Sequence, residues 1–217
     1  MATPLDLEEQ EQLDQLKAFW KQYGNPITWL LIAVLGAFAA YNGWNWWQRD
    51  QAAKAAAIHD ELDRAAEAGD AALAGRIFED LKSRYPRTVF AQQGGLLAAK
   101  VQFDKGHGGP AQASLTWVRD HAGDAAYRSV ARLRLAGVLL DEKKYDQALA
   151  ELSAADAKEF ESLVADRRGD VLRAMGKRDE ARQAYARART LMDAKLDYRR
   201  LIDAKLTALG APPETPL

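Results

Sequence analysis

From Gln22 to Gln48 the chain carries no charged residue, and behind this run apolar and polar positions follow helical spacing almost to the end. The apolar stretch reads as one membrane-spanning helix. Ile27 to Trp47 wound as α-helix reaches roughly 32 Å at ~1.5 Å per residue, enough for a hydrocarbon core of ~30 Å. Aromatic residues stand at both ends: Trp20, Tyr23 and Trp29 at the start, and Tyr41, Trp44, Trp46 and Trp47 at the finish. Amphipathic rings of this kind settle at headgroup depth, so these seven are the expected interfacial anchors.

Ala37-Phe38-Ala39 offers a small-x-small cleavage pattern. The region before the span, however, is long and acidic (Asp6, Glu8, Glu9, Glu11, Asp14), where a cleavable signal peptide has a short basic one. An uncleaved signal anchor is the better reading. Charge does not orient it, because Lys17 and Lys21 precede the span while Arg49 and Lys54 follow it. Ala33, Gly36, Ala37, Ala40 and Gly43 recur at steps of three and four and line one face. Small residues let a second helix approach closely, which makes this face a candidate docking surface in the membrane. Asn42 and Asn45 could add hydrogen bonds there, and self-association into a homo-oligomer is a further use of the same face.

From Gln51 onward alanine is abundant and β-branched residues are few, a composition that favours helix. Turn signals at Ala68-Gly69-Asp70, Tyr85-Pro86, Gly106 to Pro110, His121 to Asp124 and Gly176-Lys177 divide the chain into short helices. An internal period then appears. Ala136 corresponds to Gly169, Leu139 to Leu172, Ala148 to Ala181 and Leu152 to Tyr185, each pair about 33 residues apart. The small-large alternation and the interval resemble a tetratricopeptide repeat of ~34 residues. Small residues at Ala136, Gly169, Ala148 and Ala181 are expected where the two helices of a hairpin cross. Leu139, Leu152, Leu172 and Tyr185 are expected to fill the space between hairpins. Upstream, Ala74, Phe78, Leu81 and Pro86 fit the second half of such a unit. The expected fold is therefore all-α: a single N-terminal transmembrane helix, then an α-solenoid of about four tetratricopeptide-like hairpins (52–86, 88–121, 126–157, 159–190) and a C-terminal capping helix (191–209). The corresponding divisions are an N-terminal segment 1–25, the span 26–48, the repeat domain 49–209 and a disordered tail 210–217.

Composition narrows the chemistry. The chain has no cysteine, so it offers neither a thiolate nucleophile nor a cysteine-based zinc site. His59, His107 and His121 fall on separate elements, and no hydrolase, zinc-protease or nucleotide-binding motif occurs. The cluster Gly106 to Pro110 lies between helices and reads as a turn. Thirty basic residues against 31 acidic ones leave a net charge of -1, without the basic footprint of a nucleic-acid binder. The arginines from Arg167 to Arg200 are interleaved with acids, as on a solvated face. No enzyme, cofactor or metal is expected. A binding module is, since a solenoid presents an extended concave surface.

The order of features is itself informative: an acidic start, Leu16-Lys17-Ala18-Phe19-Trp20-Lys21-Gln22-Tyr23-Gly24, a span ending Gly43-Trp44-Asn45-Trp46-Trp47, degenerate repeats, and Leu201-Ile202-Asp203-Ala204-Lys205-Leu206. Over nearly its whole length the chain resembles the YfgM family, the ancillary subunit of the bacterial SecYEG translocon. The resemblance implies a single-pass protein of the bacterial inner membrane, with its N-terminus cytoplasmic and its repeat domain periplasmic. It implies association with SecYEG and a PpiD-like periplasmic chaperone, and help for unfolded client proteins leaving the channel. The competing reading is a cytoplasm-facing scaffold that assembles another membrane complex through the same repeat surface.

Overall fold

The computed structural model describes residues 7–212. Among them are nine α-helices: α1 (Leu7–Glu67), α2 (Ala71–Arg84), α3 (Val89–Asp104), α4 (Gly108–His121), α5 (Ala125–Asp141), α6 (Tyr145–Ser153), α7 (Glu161–Ala174), α8 (Arg178–Leu191) and α9 (Tyr198–Ala208), with a 3₁₀ turn at Lys158–Phe160. The all-α expectation holds. The chain divides into two compact units with the boundary between Asp50 and Gln51. The first six residues and 213–217, which include most of the expected tail, lie outside the described residues.

Within the first unit α1 continues through the acidic segment and the apolar run, with Pro26 inside it. Proline removes one rung of the helical ladder, and Thr28 Oγ1 donates to the Gly24 carbonyl at 2.8 Å beside it. This is the one described helix long and apolar enough to cross a membrane, with a mean hydropathy of 1.5 in its most apolar window and none of that window buried. The expected span ends at 48 and the first expected hairpin begins at 52, and α1 runs through that junction without a break. Nothing there breaks the helix, because Gln48 to Glu67 contains neither Gly nor Pro.

The second unit is a row of helical hairpins. The end of α1 packs on α2 through Leu62, Ala65, Ala74 and Phe78. Helices α3 to α7 share the next apolar layer around Leu115, Leu135, Leu139 and Leu152. Helices α7 to α9 close the row around Tyr185, Ile202 and Leu206. A core that passes from one hairpin to its neighbour is what a solenoid requires. Side chains cap three helices: Asp70 accepts from Leu73 N at 2.9 Å, Thr88 from Ala91 N at 3.3 Å and Asp124 from Ala126 N at 2.8 Å.

One turn recurs inside all four hairpins. Gly69, Lys143, Gly106 and Gly176 each adopt positive φ, between 60 and 80°. The following amide closes back on the preceding helix, as in Asp70 N to Ala65 O, His107 N to Gln102 O, Lys144 N to Leu139 O and Lys177 N to Leu172 O. This is the Schellman closure. Gly106 and His107 of the cluster Gly106 to Pro110 form the turn, since α4 already begins at Gly108. The cap also differs from expectation. Helix α8 stops at Leu191, and α9 starts at Tyr198. Between them the Asp193 carboxylate accepts from Lys195 N at 2.9 Å, a local turn that competes with the helix.

Candidate functional site

The eight repeat positions occupy the packed interior. Ala136, Ala148, Ala181 and Tyr185 are fully buried, and Leu139, Leu152 and Leu172 nearly so. Gly169 is buried too, and a Cβ built on it would lie 2.9 Å from Tyr185 Cζ and closer still to two other ring atoms. Tyr185 therefore fills the crossing of its own hairpin, α7 with α8, and also packs toward the following helix α9, with Lys205 Nζ 5.3 Å from its ring centroid. Its hydroxyl donates to Asp170 Oδ1 at 2.8 Å.

Immediately before the expected solvated face from Arg167 to Arg200 one acid is buried. Asp166 is buried at 2 % exposure and accepts from Lys205 Nζ at 2.7 and 2.8 Å and from the Tyr198 hydroxyl at 2.8 Å. Lys205 also lies 2.8 Å from Asp170 Oδ1. This network ties α7 to the cap. Burial pushes the Tyr185 and Tyr198 phenols well above their usual pKa, and the hydrogen bonds to Asp170 and Asp166 add to the effect.

The first unit presents its side chains outward. Trp20, Tyr23, Trp29, Tyr41, Trp44, Trp46 and Trp47 are all exposed, and the Trp44 and Trp47 ring centroids are 5.2 Å apart. Ala33, Gly36, Ala37, Ala40 and Gly43 are exposed, and a Cβ on Gly36 or Gly43 would meet nothing within 4 Å. Asn42 does not point away for a partner: its Nδ2 donates to the Phe38 carbonyl of its own helix at 2.8 Å.

The feature with the geometry of a binding site lies on the inner helices of the repeats. A cleft of about 400 Å³ is bordered by α3, α5 and α7. Its floor is apolar, with Ala99, Leu115 and Val138, and Phe103 stands exposed at its side. Lys100 pairs with Asp104 at 2.7 Å. Arg134 forms no ion pair among the described residues, and its Nη1 donates to the Leu96 carbonyl at 3.1 Å. Desolvation holds its pKa below the usual arginine value. A guanidinium lying along a concave floor has many neighbouring atoms and still meets solvent, so it is both desolvated and accessible. Arg167 borders the same cleft, with Asp170 at 3.7 Å. No sequence pattern singled out Arg134, because its significance arises only when three helices are brought together.

Among the described residues one group could hold a metal. Ligand atoms of His59, Asp60 and Asp63 lie within 4.8 Å of one another on α1. His59 Nδ1 is 3.1 Å from Asp63 Oδ2, the spacing of an ordinary helical i,i+4 pair.

Stacked hairpins around a shared core and an open inner cleft define a tetratricopeptide repeat-like protein, and the family model for the tetratricopeptide repeat-like domain matches residues 17–211. A protein of Neisseria gonorrhoeae named ancillary SecYEG translocon subunit is 32% identical over 94% of this chain and 98% of its own length. Proteins of the same name from Haemophilus influenzae (28% identical over 84% of this chain and 89% of the relative) and Escherichia coli (27% over 82% and 85%) are similar to it as well. The chain belongs to the family of ancillary SecYEG translocon subunits.

Proposed function

We propose that this protein is a membrane-anchored repeat adaptor at the SecYEG translocon, which presents its repeats in the periplasm and assists the handover of newly translocated proteins to a PpiD-like chaperone. The observation that carries the reading is the joining, in one chain of this family, of a helix whose most apolar stretch is unburied to a solenoid with an open inner cleft. The tether gives the cleft its effect. A surface held near its partner by a short linker works at an effective concentration of roughly millimolar, so weak and reversible contacts suffice for clients that must be released. The exposed small face of Ala33, Gly36, Ala37, Ala40 and Gly43 is the proposed docking surface within the bilayer, and Gly36→Leu with Gly43→Leu should weaken association there while leaving the repeats folded. Topology tests the reading. Alkaline phosphatase fused after Leu217 is expected to be active; an inactive fusion, with a cytoplasmic reporter active in its place, would favour the cytoplasm-facing scaffold.

A further inference from the structure

The inner cleft contains a glycine that packing does not explain. Gly137 lies in the interior of α5, where glycine is less favourable than alanine. At Gly95 and Gly169 a Cβ would collide with Val118 and Tyr185, so those glycines permit helices to touch. At Gly137 a Cβ would meet only the Arg167 guanidinium, at 3.8 Å, an ordinary contact. Gly137 instead lines the cleft together with Arg134 and Arg167. Of these two guanidinium groups, the first has no carboxylate partner among the described residues and the second only a loose one. An exposed phenylalanine, Phe103, stands at the same opening.

We infer that the cleft takes a segment of a partner protein that carries a carboxylate beside an apolar side chain, the carboxylate meeting Arg134 and Arg167 and the apolar group resting on Phe103. The lining carries Lys100, Arg134 and Arg167 against Asp104 and Asp141, with Lys100 and Asp104 paired to each other, and the remaining excess of guanidinium charge selects this occupant. A guanidinium already partly stripped of water loses little more on binding and gains a charge-assisted hydrogen bond, whereas a neutral or basic segment would leave it uncompensated. The inference rests on the adaptor reading and names the chemistry of its partner.

A short fluorescein-labelled alanine–serine peptide bearing leucine and glutamate, and its glutamine counterpart, serve as probes of the full chain in nanodiscs of zwitterionic lipid, read by anisotropy. The glutamate peptide is expected to bind on the order of tenfold tighter than the glutamine peptide. Arg134→Gln together with Arg167→Gln should abolish that preference, Arg134→Lys should keep part of it, and Phe103→Ala should weaken both peptides alike. Gly137→Leu, which fills the opening, should reduce binding of both. Equal binding of the two peptides, or a preference that persists undiminished in the Arg134→Gln, Arg167→Gln double variant, would overturn the inference. SecY recovered with the same variants from mild detergent separates the two levels. Recovery without any glutamate preference refutes the cleft chemistry and leaves the adaptor reading standing, while a glutamate preference without recovery of SecY from the wild type does the reverse.

Discussion

Replacement of Asp166 by alanine should detach the end of the solenoid without unfolding its middle. Helix α9 is held by burial of Ile202, Leu206 and Leu209, each contributing about 1.5–3 kcal/mol, and by the Asp166 network beneath it. Removing one member of a buried ion pair costs about 3–5 kcal/mol, because the remaining charge is left without its partner. Lys205 retains Asp170 at 2.8 Å and is 18% exposed, which places the loss near the lower end of that range. The Tyr198 hydroxyl loses its acceptor as well. A loss of about 3 kcal/mol raises the opening constant of α9 by roughly 100-fold. Hydrogen exchange on the full chain in nanodiscs reads this directly, since local openings of a terminal element exchange separately from the core. Amides of α9 should exchange faster by that factor, while those of α5 stay at wild-type rates. Wild-type exchange in α9 would show that the apolar contacts alone hold the cap, and the reasoning about Asp166 would be wrong.

Three further expectations follow from the same structure. Gly169→Ala should destabilise the protein by about 1–2 kcal/mol, the overpacking against Tyr185 outweighing alanine's better helix propensity, whereas Gly137→Ala should be neutral or stabilising by about 0.5–1 kcal/mol; chemical denaturation of the two variants side by side checks the contrast. Lys143→Gly should stabilise by about 1 kcal/mol, since Lys143 holds positive φ where the other three hairpins have glycine, and a shift in denaturation midpoint tests it. The raised pKa values of Tyr185 and Tyr198 favour the folded state while both phenols are protonated. Their contribution is complete below the ordinary tyrosine value of 10.0 and is lost as the pH rises past it, where the unfolded chain releases protons that the folded chain retains. Stability should therefore fall above pH 10 more steeply in the wild type than in the Tyr185→Phe, Tyr198→Phe double variant.

The hairpins were legible because alanine-rich helices and their turn residues are local signals, and the 33-residue echo from Ala136 to Gly169 exposed the repeat. What escaped the sequence depends on contacts between distant residues or on conformations that lack a residue signature. Lys143 forms the same turn as Gly69, Gly106 and Gly176, yet lysine does not announce positive φ. The break between Leu191 and Tyr198 contains neither glycine nor proline, and only the Asp193 turn marks it. Asp166 sits among arginines and reads as a solvated charge until α9 is folded over it. Arg134 looks like any arginine on an amphipathic helix until α3 and α7 enclose it in a cleft. The span was legible as an apolar run, although its helix continues well beyond that run into the repeats' first element.

The central claim is that this chain works at the translocon. Its most direct test is quantitative recovery of SecY with the tagged full-length protein from membranes solubilised in mild detergent, measured against an unrelated single-span protein expressed at the same level. Enrichment of SecY well above that control is the predicted result. Recovery no greater than the control's would contradict the account.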